Sequence, residues 1–144
     1  MTKIENVLLT GKTRTMVTHK DGRVDITLST PGKEAKPAHQ FEGIQSHPTA
    51  EQFFAGAWSA CYIAAIGLVA QEKKVELPAD LAVEIEVDLG KTGEAYFIQA
   101  RFTVTIPGVA QDVAEAIAHA AHDVCPYSKA TRGNIDVAMT VIGG

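Results

Sequence analysis

Two neighbouring stretches limit what this chain can fold into more than any other feature. The run LAVEIEVDLG sets Leu81, Val83, Ile85, Val87 and Leu89 against Glu84, Glu86 and Asp88. That period of two is what a strand with one buried face requires. After GKTGE the same period returns. Tyr96, Ile98, Ala100, Phe102, Val104 and Ile106 alternate with Phe97, Gln99, Arg101, Thr103 and Thr105, and Pro107-Gly108 ends the run. The pair reads as an antiparallel hairpin. Its apolar face must be covered by a second layer.

Two segments can supply that layer. From Thr49, with Gln52 three positions on as in a capping box, Phe53, Phe54, Ala57, Trp58, Cys61, Ala64, Ala65 and Leu68 recur at helical spacing. Lys73 and Lys74 suit the helix end. The apolar band is wide and contains Ala55, Gly56, Ala60 and Gly67, so burial on several sides is expected. The run VAQDVAEAIAHAAHDVC predicts a second helix with Val109, Val113, Ala116, Ile117, Ala120 and Val124 on one face. It should stop at Cys125, because proline pushes the residue before it out of the helical region. RTMVTHKDGRVDITL reads as an early hairpin turning at Asp21-Gly22. STPGKEAKPAHQFEGIQSHP reads as a long loop, and NIDVAMTVI as a closing strand. The expected class is therefore α+β with a largely antiparallel sheet.

The chain has 144 residues, which suits one domain over 1–144 with a core of ordinary size. A net charge of −4 argues against a general nucleic-acid surface. No apolar run is expected to cross a membrane, and MTKIENVLLTGKTRT does not read as a signal peptide. A cytoplasmic protein is the expectation. There a cysteine pair is more often catalytic or redox-active than structural. Two cysteines, Cys61 and Cys125, and no Cys-x-x-Cys leave no Cys-rich zinc site. The histidines at 19, 39, 47, 119 and 122 show no ligand spacing with a carboxylate partner. His119 and His122 read as solvated helix positions.

Read by itself, Cys61 in the middle of an apolar helix is a small packed hydrophobe. Cys125, at a helix end beside Pro126, reads equally as an accessible thiol or as a core residue of the last turn. Spacing does not say whether the sulfurs meet.

The segments AEQFFAGAWSACYIAAIGLVA and VCPYSKATRGNIDV resemble those of the organic hydroperoxide resistance proteins, a subgroup of the OsmC/Ohr family of thiol peroxidases. Glu51-Gln52, Phe54-Ala55 and Ser59-Ala60-Cys61 carry the first match. Cys125-Pro126-Tyr127-Ser128 and Ala130 to Ile135 carry the second, more specific one. DGRVDITLSTPG also resembles the group's early strand. The resemblance implies an OsmC-like fold, two core helices carrying the cysteines, and an intertwined homodimer. It implies Cys61 as the peroxidatic cysteine, oxidised to a sulfenic acid, and Cys125 as the resolving one that closes a disulfide. A lipoyl-type dithiol would then reduce that disulfide. No metal, haem, flavin or other cofactor is implied.

In the family an arginine held by a glutamate ionises the peroxidatic thiol. Glu51 matches that glutamate, although a carboxylate in a helix's first turn needs no catalysis to explain it. The arginine loop departs from the family's Gly-Gly-Arg run. Arg14 falls closest to the expected place and Arg23 is a weaker candidate; either also reads as a solvated strand residue. Ten positions along a helix amount to roughly 15 Å of rise, so Glu51 cannot touch Cys61 of the same helix. A bridging arginine or a site shared between two subunits is expected. Phe53, Phe54, Trp58 and Tyr62 read first as core residues, with some of them expected to wall an apolar entrance near Cys61. Each buried CH₂ of a substrate tail would add about 0.8 kcal/mol there, favouring fatty-acid-type hydroperoxides over hydrogen peroxide. Arg132, Asn134 and Tyr127 are expected to support the loop. The competing expectation is a catalytically weak OsmC-like stress protein that binds an apolar ligand or acts as a redox sensor.

Overall fold

The computed structural model describes residues 3–17, 24–29, 36–37 and 49–144. Six strands among these residues form one sheet: β1 (Asn6–Val17), β2 (Val24–Ser29), β3 (Lys36–Pro37), β4 (Ala82–Thr92), β5 (Ala95–Thr105) and β6 (Val137–Ile142). Their order is β3-β2-β1-β4-β5-β6, antiparallel throughout except that β5 and β6 run parallel. Among the described residues three helices complete it: α1 (Ala50–Glu72), α2 (Gln111–Val124) and α3 (Pro126–Thr131). The fold is α+β with a mostly antiparallel sheet, as expected. The turn at Asp21-Gly22, and all of the long loop but its first residue and the two of β3, lie outside the described residues.

The hairpin of β4 and β5 pairs Ile85 with Phe102 and Val87 with Ala100, so its apolar residues gather on one face. Gly93 turns it at φ 58°, a left-handed conformation that glycine adopts without a Cβ penalty. β1 is longer than its sequence suggests, because Thr13 and Thr15 occupy the buried positions of its alternation.

α1 begins with the expected capping box. Gln52 N–H donates to Thr49 Oγ1 at 3.2 Å, and Thr49 N–H donates to Gln52 Oε1 at 2.9 Å. It starts directly over Gly11 of β1, where a Cβ would lie 2.8 Å from the Gln52 nitrogen; only glycine admits the helix so close. The face α1 turns to the sheet is not the expected one. Ala55, Trp58, Tyr62, Ile63, Ile66 and Val69 are buried, whereas Phe53 is 60% exposed and Leu68 56%. The helix is apolar all round, so periodicity does not choose a face. α2 is likewise rotated: Ala114, Ile117, Ala118 and Ala121 are buried, and Ala116 and Val124 face outward.

Nor does the expectation about membrane-length runs hold. Between Glu51 and Glu72 α1 carries no charge, and it is long and apolar enough to cross a bilayer by length and composition. In this fold more than half of that stretch is buried within the protein, as in the core helix of a globular domain.

Candidate active site

Cys61 and Cys125 are free thiols whose sulfurs lie 3.2 Å apart, the Cys125 thiol donating to the Cys61 sulfur. A disulfide needs about 2.05 Å, so a shift of roughly an ångström would close one. The site exists because of what Pro126 does to the chain. Cys125 leaves the helical region at φ −60°, ψ 121°, and Pro126 opens α3 at its first position. Cys125 is thus both the last residue after α2 and the first before α3. It is fully buried against α1, whereas Cys61 is half-buried and reaches the surface.

The ionisation of Cys61 reflects its burial and two neighbours. Burial pushes the thiol up, the hydrogen bond from Cys125 pushes it the same way, and the backbone N–H of Tyr127 works against both; the balance lies above the ordinary thiol range. No cation among the described residues contributes to that balance. Tyr62, beside Cys125, donates its hydroxyl to the Ala118 carbonyl at 2.7 Å, and burial pushes its phenol upward. Trp58 Nε1 donates to Ser128 Oγ at 2.9 Å, joining α1 to α3 through two buried atoms.

The structure unites Cys61 with Cys125 and separates the other expected residues. Glu51 lies in the first turn of α1, near Gly11, ten positions before Cys61. Arg14 is not brought to Cys61 within the chain. Thr13 and Thr15 on either side of it point to α1, so Arg14 points through the opposite face and pairs with Glu84 at 3.0 Å. Arg23 lies outside the described residues. Trp58 and Tyr62 form no entrance wall. They belong to the core, edge-on to Phe102 at centroid distances of 4.8 and 5.1 Å. Phe53 and Phe54 do reach the surface.

His122 corrects another expectation. It is half-buried against Trp58, Tyr62 and Phe102, and burial lowers its imidazole below the usual histidine range, with Arg132 acting in the same direction. Arg132 donates to the His122 carbonyl at 2.9 Å and pairs with Asp123, closing the end of α2. The contacts missed in the sequence are those of α3, namely the Tyr127 N–H and the Ser128 hydroxyl. Their signal was Pro126, the residue favoured at a helix's first position.

The chain matches the OsmC-like protein family model over residues 43–140. It is 36% identical over 121 residues to the organic hydroperoxide resistance protein of Xanthomonas axonopodis pv. citri, covering 84% of this chain and 81% of that one. Among solved structures, it superposes on the organic hydroperoxide resistance protein of Elizabethkingia anophelis with a TM-score of 0.64 and 26% identity. That match covers 98% of this chain and all of the other. OhrB of Bacillus subtilis gives a TM-score of 0.63 at 31% identity, over 82% of this chain and 89% of that one.

Proposed function

The chain belongs to the OsmC-like family, and on that premise we propose that it is a cysteine-based peroxidase that reduces organic hydroperoxides to alcohols. The observation that carries the reading is the 3.2 Å separation of two sulfurs from distant parts of the chain. In the proposed cycle the Cys61 thiolate attacks the outer peroxide oxygen. The S–O bond forms, the O–O bond breaks, and the alkoxide leaves and takes a proton to become the alcohol. Cys125 then attacks the sulfenic sulfur, the S–S bond forms, and the hydroxyl departs as water. A dithiol of the lipoyl type reduces the disulfide by two exchange steps and is itself oxidised to a cyclic disulfide.

The half-buried position of Cys61 and the exposed Phe53 and Phe54, two turns earlier on the same helix, support bulky, fatty-acid-type substrates. Glu51 is too far along α1 to act on its own Cys61. In our reading the site is completed in a homodimer, in the cytoplasm, with Glu51 and the activating cation supplied across the interface. The apolar outer face of α1, with Phe53, Ala57, Ala64 and Leu68 bare in the single chain, is consistent with a covering partner.

The test is a coupled assay with cumene hydroperoxide and dihydrolipoamide. Cys61→Ser should abolish turnover. Cys125→Ser should reduce one equivalent and then stall or overoxidise. Full turnover by Cys61→Ser would refute the assignment.

One observation favours a second reading, a weakly catalytic stress protein or redox sensor: the Cys61 thiol is pushed up rather than down. That reading expects easy disulfide formation with a strong oxidant but slow turnover with every dithiol offered.

A further inference from the structure

We infer that Trp58 and Ser128 are positioning residues for the resolving step, a fixed rung that keeps Cys125 within reach of an oxidised Cys61. The inference rests on the two-cysteine reading above and deepens it. α1 and residues 125–128 run past each other in opposite directions. One turn back from Cys61 on α1 stands Trp58, and one turn on from Cys125 stands Ser128. Two contacts therefore tie the same two segments together, the sulfur pair at 3.2 Å and the indole–hydroxyl hydrogen bond at 2.9 Å.

The two rungs differ in kind. The sulfur rung is broken and made in every cycle, whereas no step of the chemistry touches the other. Trp58 cannot swing to follow a moving Ser128, because its ring is held edge-on by Phe102 at 4.8 Å and Phe54 at 5.7 Å. Its only polar atom is spent on Ser128, which is fully buried. The hydroxyl thus locates α3 relative to α1 by a bond that neither residue can replace from solvent.

The consequence is a partition. A sulfenic acid at Cys61 has two fates. Cys125 can attack its sulfur, forming S–S, breaking S–O and releasing water. Alternatively a second hydroperoxide can transfer its outer oxygen to that sulfur, giving a sulfinic acid and another molecule of alcohol. The first fate depends on where Cys125 sits. The second arrives from the exposed side of Cys61 and does not. Misplacing a reacting group by an ångström can slow its step by up to about a hundredfold, so a looser α3 shifts the balance toward sulfinate.

The experiment treats the reduced full-length chain with a fixed excess of cumene hydroperoxide. It reads the ratio of sulfinate to Cys61–Cys125 disulfide by intact mass, relative to the rate at which each variant loses its Cys61 thiol. Ser128→Ala and Trp58→Phe should each raise that ratio by on the order of tenfold. Ser128→Thr should restore it. The double variant should be no worse than either single one, because both remove the same bond. If Ser128→Ala does not fold, Trp58→Phe, which keeps an aromatic ring but loses the N–H together with two ring carbons, decides alone. Folded variants that partition as wild type does, while wild type still closes its disulfide, overturn the inference and leave the peroxidase reading standing. A wild-type chain that forms no Cys61–Cys125 disulfide overturns the reading beneath it, and the inference with it.

Discussion

The two faces of the sheet are built from alternate residues of the same strands, yet they are held by different forces. On the helix side Val83, Ile85, Val87, Phe102 and Val104 are buried under α1 and α2. On the other side Lys12 and Arg14 meet Glu84 at 3.2 and 3.0 Å, and Arg101 meets Glu86 at 3.1 Å and Asp88 Oδ1 at 2.9 Å. The first face is stabilised by area and volume, the second by charge. The difference also sorts function. Both sulfurs lie on the helix side, and a residue one position along β1 from Thr13 is a whole sheet away from them.

The contrast can be broken most forcefully at Phe102, on which Trp58, Tyr62 and His122 converge. Phe102→Ala should cost about 3–5 kcal/mol in denaturant unfolding, since it removes a fully buried ring on which three others pack. A loss under about 1 kcal/mol would mean that the helix side is not held by packing at this point.

Asp88 is the test on the charged side. Its side chain is only 2% exposed, and burial alone would push its carboxyl up. Hydrogen bonds from Arg101, Thr10 and Gln99, with the charge of Arg101, overcome that and hold it at about 2. The folded value lies below the unfolded one. Its contribution is therefore complete above roughly pH 4 and is lost as the pH falls toward the folded value. Asp88→Asn should cost about 1–3 kcal/mol near neutrality, and the gap from wild type should close through that acidic window. A gap that persists unchanged at the acid end would show that the carboxylate charge is not what matters.

The smallest effect is expected at Arg14, a surface ion pair. Arg14→Ala should change stability by less than about 1 kcal/mol and leave the rate of Cys61 alkylation unaltered. A tenfold fall in that rate would bring Arg14 back to the thiol, by way of a second subunit.

How much of this could be read from the residues varied with how strongly each pattern is written. β4 and β5 alternate without interruption, and their hairpin and most of its buried face follow, although Tyr96 is exposed. The start of α1 was legible in Thr49 and Gln52, and the end of α2 in Pro126, because capping and proline sterics are local. β1 was only half legible, since Thr13 and Thr15, the one hydrogen-bonded to Ser59 at 3.2 Å, put polar residues where a buried face predicts apolar ones. The faces of α1 and α2 were misread for the opposite reason. Small and apolar residues surround both helices, so several rotations satisfy the pattern equally. His122 went from solvent to a half-buried aromatic nest as a result, while Trp58 and Tyr62 kept the first of their two readings, the core.

By itself the sequence determined the α+β class, the long hairpin, the break at Cys125 and, through its two matching segments, the family. These depend on backbone periods, proline sterics and residue identity, all of which are written along the chain. Only the tertiary structure decided which side of α1 faces the sheet, that Arg14 and Cys61 stand on opposite sides of it, and that the two sulfurs are neighbours. Those facts depend on how separately formed elements rotate and dock to bury the most volume, and no local pattern records that choice.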